Sequence, residues 1–155
     1  MTDLSLLTDQ LTSLLAGETN RVTMLANASA LLNDTLPDIN WAGFYLYNEA
    51  TGQLDLGPFQ GKVACMHIAP GQGVCGTAYA TGQIQRVADV HQFPGHIACD
   101  SASNAEIVIP LPGLGVLDID SPTKDRFSAA DEAALTTFAA TLQHQLDTAA
   151  ASSVQ

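Results

Sequence analysis

The stretch FPGHIACDSASNAEIVIPLPGLGVLDID, Phe93 to Asp120, strings Cys99 and the acids Glu106, Asp118 and Asp120 along what read as neighbouring chain segments. Its second half holds two apolar runs. Glu106 opens Ile107-Val108-Ile109, and Asp118 and Asp120 flank Ile119 in a run that starts at Val116. Pro112-Gly113-Leu114-Gly115 separates the two runs, which predicts a hairpin. Side chains two apart on a strand share a face, so Asp118 and Asp120 point the same way and Ile119 turns opposite. The first half reads differently. Cys99 stands in a small-residue, polar run between Ala98 and Asn104, which predicts a loop where a thiol meets solvent or a ligand.

Outward from this stretch, the chain falls into a single domain over residues 1–155. Leu4, Leu7, Leu11, Leu14 and Leu15 recur at helical steps behind Thr2 or Asp3 as a cap, and Gly17 ends that helix. A second helix places Val22, Leu25, Ala28, Leu31 and Leu32 on one face and closes before Pro37, so helices occupy about 3–36. The sheet core covers about 39–121. It begins with the strand INWAGFYLY (Ile39–Tyr47), turns at Thr51-Gly52 into Gln53–Leu56, breaks at Gly57-Pro58, and continues in the strand Val63–Ile68, which contains Cys65. A glycine-rich loop then feeds a short helix from Gly73 to a stop at Gly82, with Cys75 in its first turn, where the helix dipole favours a thiolate. Ile84–Val90 is a further strand. The closing helix, about 128–148, starts with Asp131 and Glu132 in its first turn and buries Leu135, Phe138, Leu142 and Leu146, with fraying from Ala149. This order predicts an α+β fold: a six-stranded antiparallel sheet with the N-terminal and C-terminal helices packed on one face.

Composition narrows the partners. Five basic residues against sixteen acids give a net charge of −11, which argues against nucleic acid and against an anionic membrane surface. No apolar run reaches the roughly 20 residues of a membrane span, and Met1-Thr2-Asp3 lacks a signal peptide's basic start, so the expected address is cytoplasmic. In that compartment three cysteines read as thiols, whether core, catalytic or redox, rather than as a disulfide framework. Cys65-Met66-His67 with Cys75 falls short of a zinc motif, and His67, His91, His96 and His144 have no ligand spacing, so no metal is expected. Taken singly, each cysteine also reads as a small core residue, the paired aspartates as turn residues, and Trp41 and Tyr45 as core aromatics.

Taken together, NWAGFYLY, GQGVCGTAYATG, HIACDSASNAEIVIPL and GVLDIDSP resemble the stand-alone GAF domain of the free methionine-(R)-sulfoxide reductase family. The likeness runs from about Asn40 to Asp131, and it rests most on the three cysteines with Trp41, Glu106, Asp118 and Asp120. The PGLG link between the last two strands is shorter than the family's usual one. The resemblance implies reduction of free L-methionine (R)-S-oxide without a cofactor, the electrons coming from an external dithiol such as thioredoxin, and it allows a homodimer. It assigns attack on sulfur to Cys99 and recycling to Cys65, with Cys75 as a partner thiol in some members. Spacing alone leaves the pairing of the three cysteines open.

The residue types suit that chemistry. A thiolate must attack sulfur while the departing oxygen takes up a proton. The resulting sulfenic acid condenses with a second thiol to a disulfide. Glu106 is the expected acid, because a carboxyl beside Asp118 and Asp120 has its protonated form favoured by like-charge repulsion. The two aspartates are expected to bind the substrate ammonium and orient the sulfoxide oxygen. Backbone groups around Ala98 to Asp100 are expected to hold its carboxylate. Trp41 and Tyr45, four apart on one strand, are expected to wall the S-methyl group. The rival expectation is a stand-alone GAF sensor that binds a small molecule or senses redox state without catalysis.

Overall fold

Turn and cap residues set the element boundaries. In the computed structural model, which describes residues 4–97 and 102–153, α1 spans Leu7–Leu15 and α2 spans Arg21–Thr35. Gly17, at φ 78°, turns the chain between them. The Asn20 side chain then accepts the Thr23 N–H at 3.1 Å to cap α2. Strands β1 (Trp41–Asn48) and β2 (Gln53–Gly61) form the first hairpin. They are followed by β3 (His67–Ile68), α3 (Gly73–Thr81), β4 (Gln85–Val87), β5 (Ala105–Leu111), β6 (Gly115–Ser121) and α4 (Ala129–Ser153). Gly82 stops α3 in the left-handed region, its N–H bonded to the Ala78 carbonyl. Ser128 and Asp131 cap α4 reciprocally, each backbone N–H bonded at 3.0 Å to the other's side-chain oxygen.

The sheet has the order β3-β2-β1-β6-β5-β4, and every neighbouring pair is antiparallel. Its two-residue alternation builds two different faces. Ala42, Phe44, Ile107, Ile109, Leu117 and Ile119 turn toward α1, α2 and α4, where Leu25, Leu32, Phe138 and Leu142 complete the main core. Trp41, Tyr45, Val108 and Val116 turn the other way and meet Val74, Cys75 and Ala78 of α3. The terminal helices thus share one face, as expected, and α3 covers the opposite one.

Several boundaries differ from the sequence reading. Strand β2 runs through the expected break at Gly57-Pro58, because a bulge between Gly43 and Tyr45 lets two residues of β2 face one of β1 and absorbs the proline that cannot donate. The expected strand Val63–Ile68 contracts to His67–Ile68, leaving Cys65 half-buried on an irregular segment. There the Trp41 indole N–H donates to the Lys62 carbonyl at 3.2 Å and the Tyr45 hydroxyl to the Cys65 carbonyl at 2.9 Å, in place of a strand ladder. Strand Ile84–Val90 shortens to Gln85–Val87, because Asp89 caps a 3-10 turn by accepting the His91 N–H at 3.0 Å. Helix α4 continues past Ala149, which is buried in the main core, so the expected fraying does not begin there. Leu14 and Val22 are exposed while Met24 is buried. Helix α1 starts at Leu7 with no side-chain cap, and the expected caps Thr2 and Asp3 lie outside the described residues.

Gly43 marks the tightest approach of β1 to β2. A Cβ there would collide with the Cβ and Cα of Phe59, and Gly43 is also the direct β1 partner of Asp118. Gly43→Ala is expected to lower unfolding free energy by about 1–3 kcal/mol through overpacking. Urea denaturation tests this, and an unchanged midpoint would show that the two strands part without cost.

Candidate active site

Register, not proximity in sequence, assembles the site. Asp120 of β6 lies opposite Trp41 on one side and Glu106 on the other. Asp118, two residues earlier, lies between Gly43 and Val108. These residues share the face covered by α3, so a second row of acids stacks against the aromatic row from β1. Trp41, Tyr45, Cys75, Glu106, Asp118 and Asp120 all line one cavity. Trp41 stacks on Tyr45 at 5.8 Å between ring centroids and on Phe59 at 5.0 Å, which makes a continuous apolar wall.

The opposing wall is acidic and desolvated. Asp118 is only 4% exposed and Glu106 9%. Burial first, then the charges of Asp120 and Glu106, push the Asp118 carboxyl well above the usual aspartate range. The carboxyl that this environment drives toward its acid form is therefore Asp118, which the sequence reading had given to substrate binding. Its Oδ1 is buried and accepts no hydrogen bond. A buried acceptor without a donor is costly in the free protein and is satisfied by a ligand that brings one.

Cys75 corrects another expectation. It does sit in the first turn of α3, but burial, and then Asp118, Glu106 and Asp120, push its thiol well above the usual range. The helix dipole contributes at most about 2 kcal/mol toward a thiolate, and a fully desolvated thiol among carboxylates loses more than that. The thiol instead donates weakly to Glu106 Oε2 at 3.8 Å. Cys75 is a free thiol, whereas Cys65 is disulfide-bonded. Cys99, Ala98 and Asp100 lie outside the described residues.

The cavity also takes Gln72, His96, Ile97 and Ser103 as lining. None was singled out as a site residue in the sequence, although all four fall in the stretches that carry the family resemblance. Ser103 is positioned by accepting the Asn40 amide N–H at 3.2 Å, across 63 residues of chain. His96, read as an ordinary histidine, reaches the cavity only because the loop after β4 folds over α3, where Ile97 packs against Gly73.

This arrangement, an antiparallel sheet with a chamber between one of its faces and a short covering helix, is that of a GAF domain, whose family model matches residues 22–146. The chain belongs to that family. Over 140 residues it is 56% identical to the free methionine-R-sulfoxide reductase of Escherichia coli, covering 88% of this chain and 84% of that one. The fRMsr of Staphylococcus aureus, solved in complex with substrate, superposes with a TM-score of 0.88 at 49% identity, covering 94% and 97% of the two chains. The free methionine-R-sulfoxide reductase of Neisseria meningitidis, in complex with its substrate, gives 0.90 at 40% identity, covering 94% and 89%. Within the GAF domains, the chain is a member of the free methionine-R-sulfoxide reductase family.

The acid cluster has a consequence for stability. The folded protein holds the Asp118 proton more tightly than the unfolded chain does. Its contribution is therefore complete below the ordinary aspartate value of about 4 and is lost as pH rises through the raised folded value. Glu106, Asp120, Cys75 and Tyr45 are the titratable groups that share this electrostatic cluster. Asp118→Asn removes the titration, so the variant is expected to gain on the parent between about pH 5 and about pH 8. Urea midpoints at the two pH values measure this, and a constant difference between the proteins would refute it.

Proposed function

We propose that this chain reduces free L-methionine (R)-S-oxide to L-methionine. One observation carries the reading: an aromatic wall and a buried acid cluster with an unsatisfied Asp118 oxygen face each other across one cavity. An apolar floor fits the S-methyl group, and the carboxylates fit the ammonium of a free amino acid, a charge that a residue inside a polypeptide lacks. Kinship with reductases solved in complex with substrate supports the same ligand.

In this mechanism the Cys99 thiolate attacks the sulfoxide sulfur. The oxygen is transferred to the cysteine as a sulfenic acid, and methionine leaves with the electron pair on its sulfur. Asp118, whose acid form is favoured by burial and by the charges of Asp120 and Glu106, supplies the proton that the transferred oxygen takes up, with Glu106 beside it. Asp120 and its neighbours hold the ammonium, and backbone groups from Ala98 to Asp100 hold the substrate carboxylate. Cys65 then attacks the sulfenic acid, water departs, and a disulfide forms. A dithiol such as thioredoxin returns both sulfurs to thiols, so two electrons pass from donor to sulfoxide without a bound cofactor. The disulfide at Cys65 and the buried free thiol at Cys75 support recycling through Cys65. Such turnover belongs in a compartment that maintains dithiol donors, the cytoplasm. No helix among the described residues is long and apolar enough to cross a membrane.

Cys99→Ser is expected to abolish reduction of the free R epimer. Cys65→Ser is expected to release one methionine per chain and then stop, measured as methionine formed with thioredoxin as donor. Saturable sulfoxide binding with no thiol consumed by the parent protein would instead identify a sensor. Tyr45→Phe keeps the ring but removes the hydrogen bond to the Cys65 carbonyl. It is expected to preserve the first methionine released and to slow thioredoxin-driven cycling, and equal rates for variant and parent would refute the positioning role.

A further inference from the structure

The same chamber gathers donors of a second kind. One donor atom each from Cys75, Glu106 and Asp118, all three residues buried, lies within 4.8 Å of the others. The Cys75 sulfur and Glu106 Oε2 are 3.8 Å apart. A tetrahedral zinc ion, with Zn–S of about 2.3 Å and Zn–O of about 2.0 Å, holds sulfur and oxygen donors roughly 3.5 Å apart. The Cys75–Glu106 pair is already near that spacing. Independently, Asp118 is 4% exposed and lines the cavity, and its Oδ1 has no hydrogen-bond partner. No lysine or arginine lines the cavity among the described residues, and His96 is the one basic side chain in its lining.

We propose that Cys75, Glu106 and Asp118 bind a thiophilic divalent cation, Zn2+, in the chamber. One thiolate with two carboxylates discriminates between cations: the soft sulfur favours Zn2+ over Mg2+ and Ca2+, which take oxygen donors alone. Asp120, directly across the β5/β6 ladder from Glu106, or a water fills the fourth position. Coordination releases the Cys75 thiol proton to solvent, and no electrons move. The ion would occupy the place of the substrate ammonium, making it an inhibitor and not a cofactor. Because Cys75 remains a free thiol while Cys65 is disulfide-bonded, the site persists in the oxidised protein. There it is separable from the thiols of the reductive cycle.

The test is a calorimetric titration of Zn2+ into the disulfide form of the full chain, paired with Co2+ titrated by absorbance. The expected result is one ion per chain, a sulfur-to-cobalt charge-transfer band, and no competition from Mg2+. Cys75→Ser is expected to abolish the band and weaken Zn2+ binding by roughly tenfold or more. Glu106→Gln, nearly the same volume, is expected to weaken it comparably and carries the test if Cys75→Ser does not fold by circular dichroism. Absence of saturable binding, or affinity unchanged in the folded variants, would overturn the site. Neither result depends on sulfoxide reduction, which is measured separately in the reduced protein.

Discussion

The burial of Glu106 and Asp118 beside a half-buried Asp120 on one face of the sheet is the constraint on which the rest depends. Strands β5 and β6 carry hydrocarbon at alternate positions and acids at the others. Ile107, Ile109, Leu117 and Ile119 therefore anchor the strands in the main core, and Glu106, Asp118 and Asp120 project from its reverse side. The apolar face stabilises the arrangement, at about 25 cal/mol per Å2 removed from water. That stabilisation offsets the cost of bringing like charges together in a poorly solvated place. A slip of one residue would exchange the two faces, so the hydrophobic pattern also fixes where the acids point.

The acids stay apart from water because the opposite wall is aromatic and anchored. Trp41 and Tyr45 contribute their rings to the cavity, and each spends its polar atom on the segment from Lys62 to Cys65. The chamber wall and the segment bearing Cys65 are consequently tied together by two hydrogen bonds. From the other side, α3 seats Cys75 and Val74 against the sheet. The close approach at the start of α3 requires a bare backbone at Gly76, where a Cβ would meet the Ala69 carbonyl oxygen. Burial and the neighbouring carboxyls push a thiol placed so deeply toward its protonated form.

Much of this was legible in residue order. The hairpin around Pro112–Gly115 gave the shared face of Asp118 and Asp120, and the leucine and phenylalanine spacing of α4 gave its buried stripe. The pattern failed where side chains from elsewhere claim the backbone. Val63–Ile68 is apolar enough for a strand, but the carbonyls of Lys62 and Cys65 are bonded by side chains of β1. Likewise, Ser103 and His96 have no local mark of a site residue, because their part in the cavity comes from the path of a loop.

By itself the sequence determined which residues alternate, which helices bury a stripe, and therefore which side of each strand faces hydrocarbon, since these follow from local periodicity and the burial of apolar surface. Only tertiary structure decided how the acids and thiols titrate. The displacement of Asp118 and Cys75 toward their protonated forms depends on lost hydration and on charges brought close by strand pairing and helix packing. Desolvation belongs to a position in space, and no spacing along the chain encodes it.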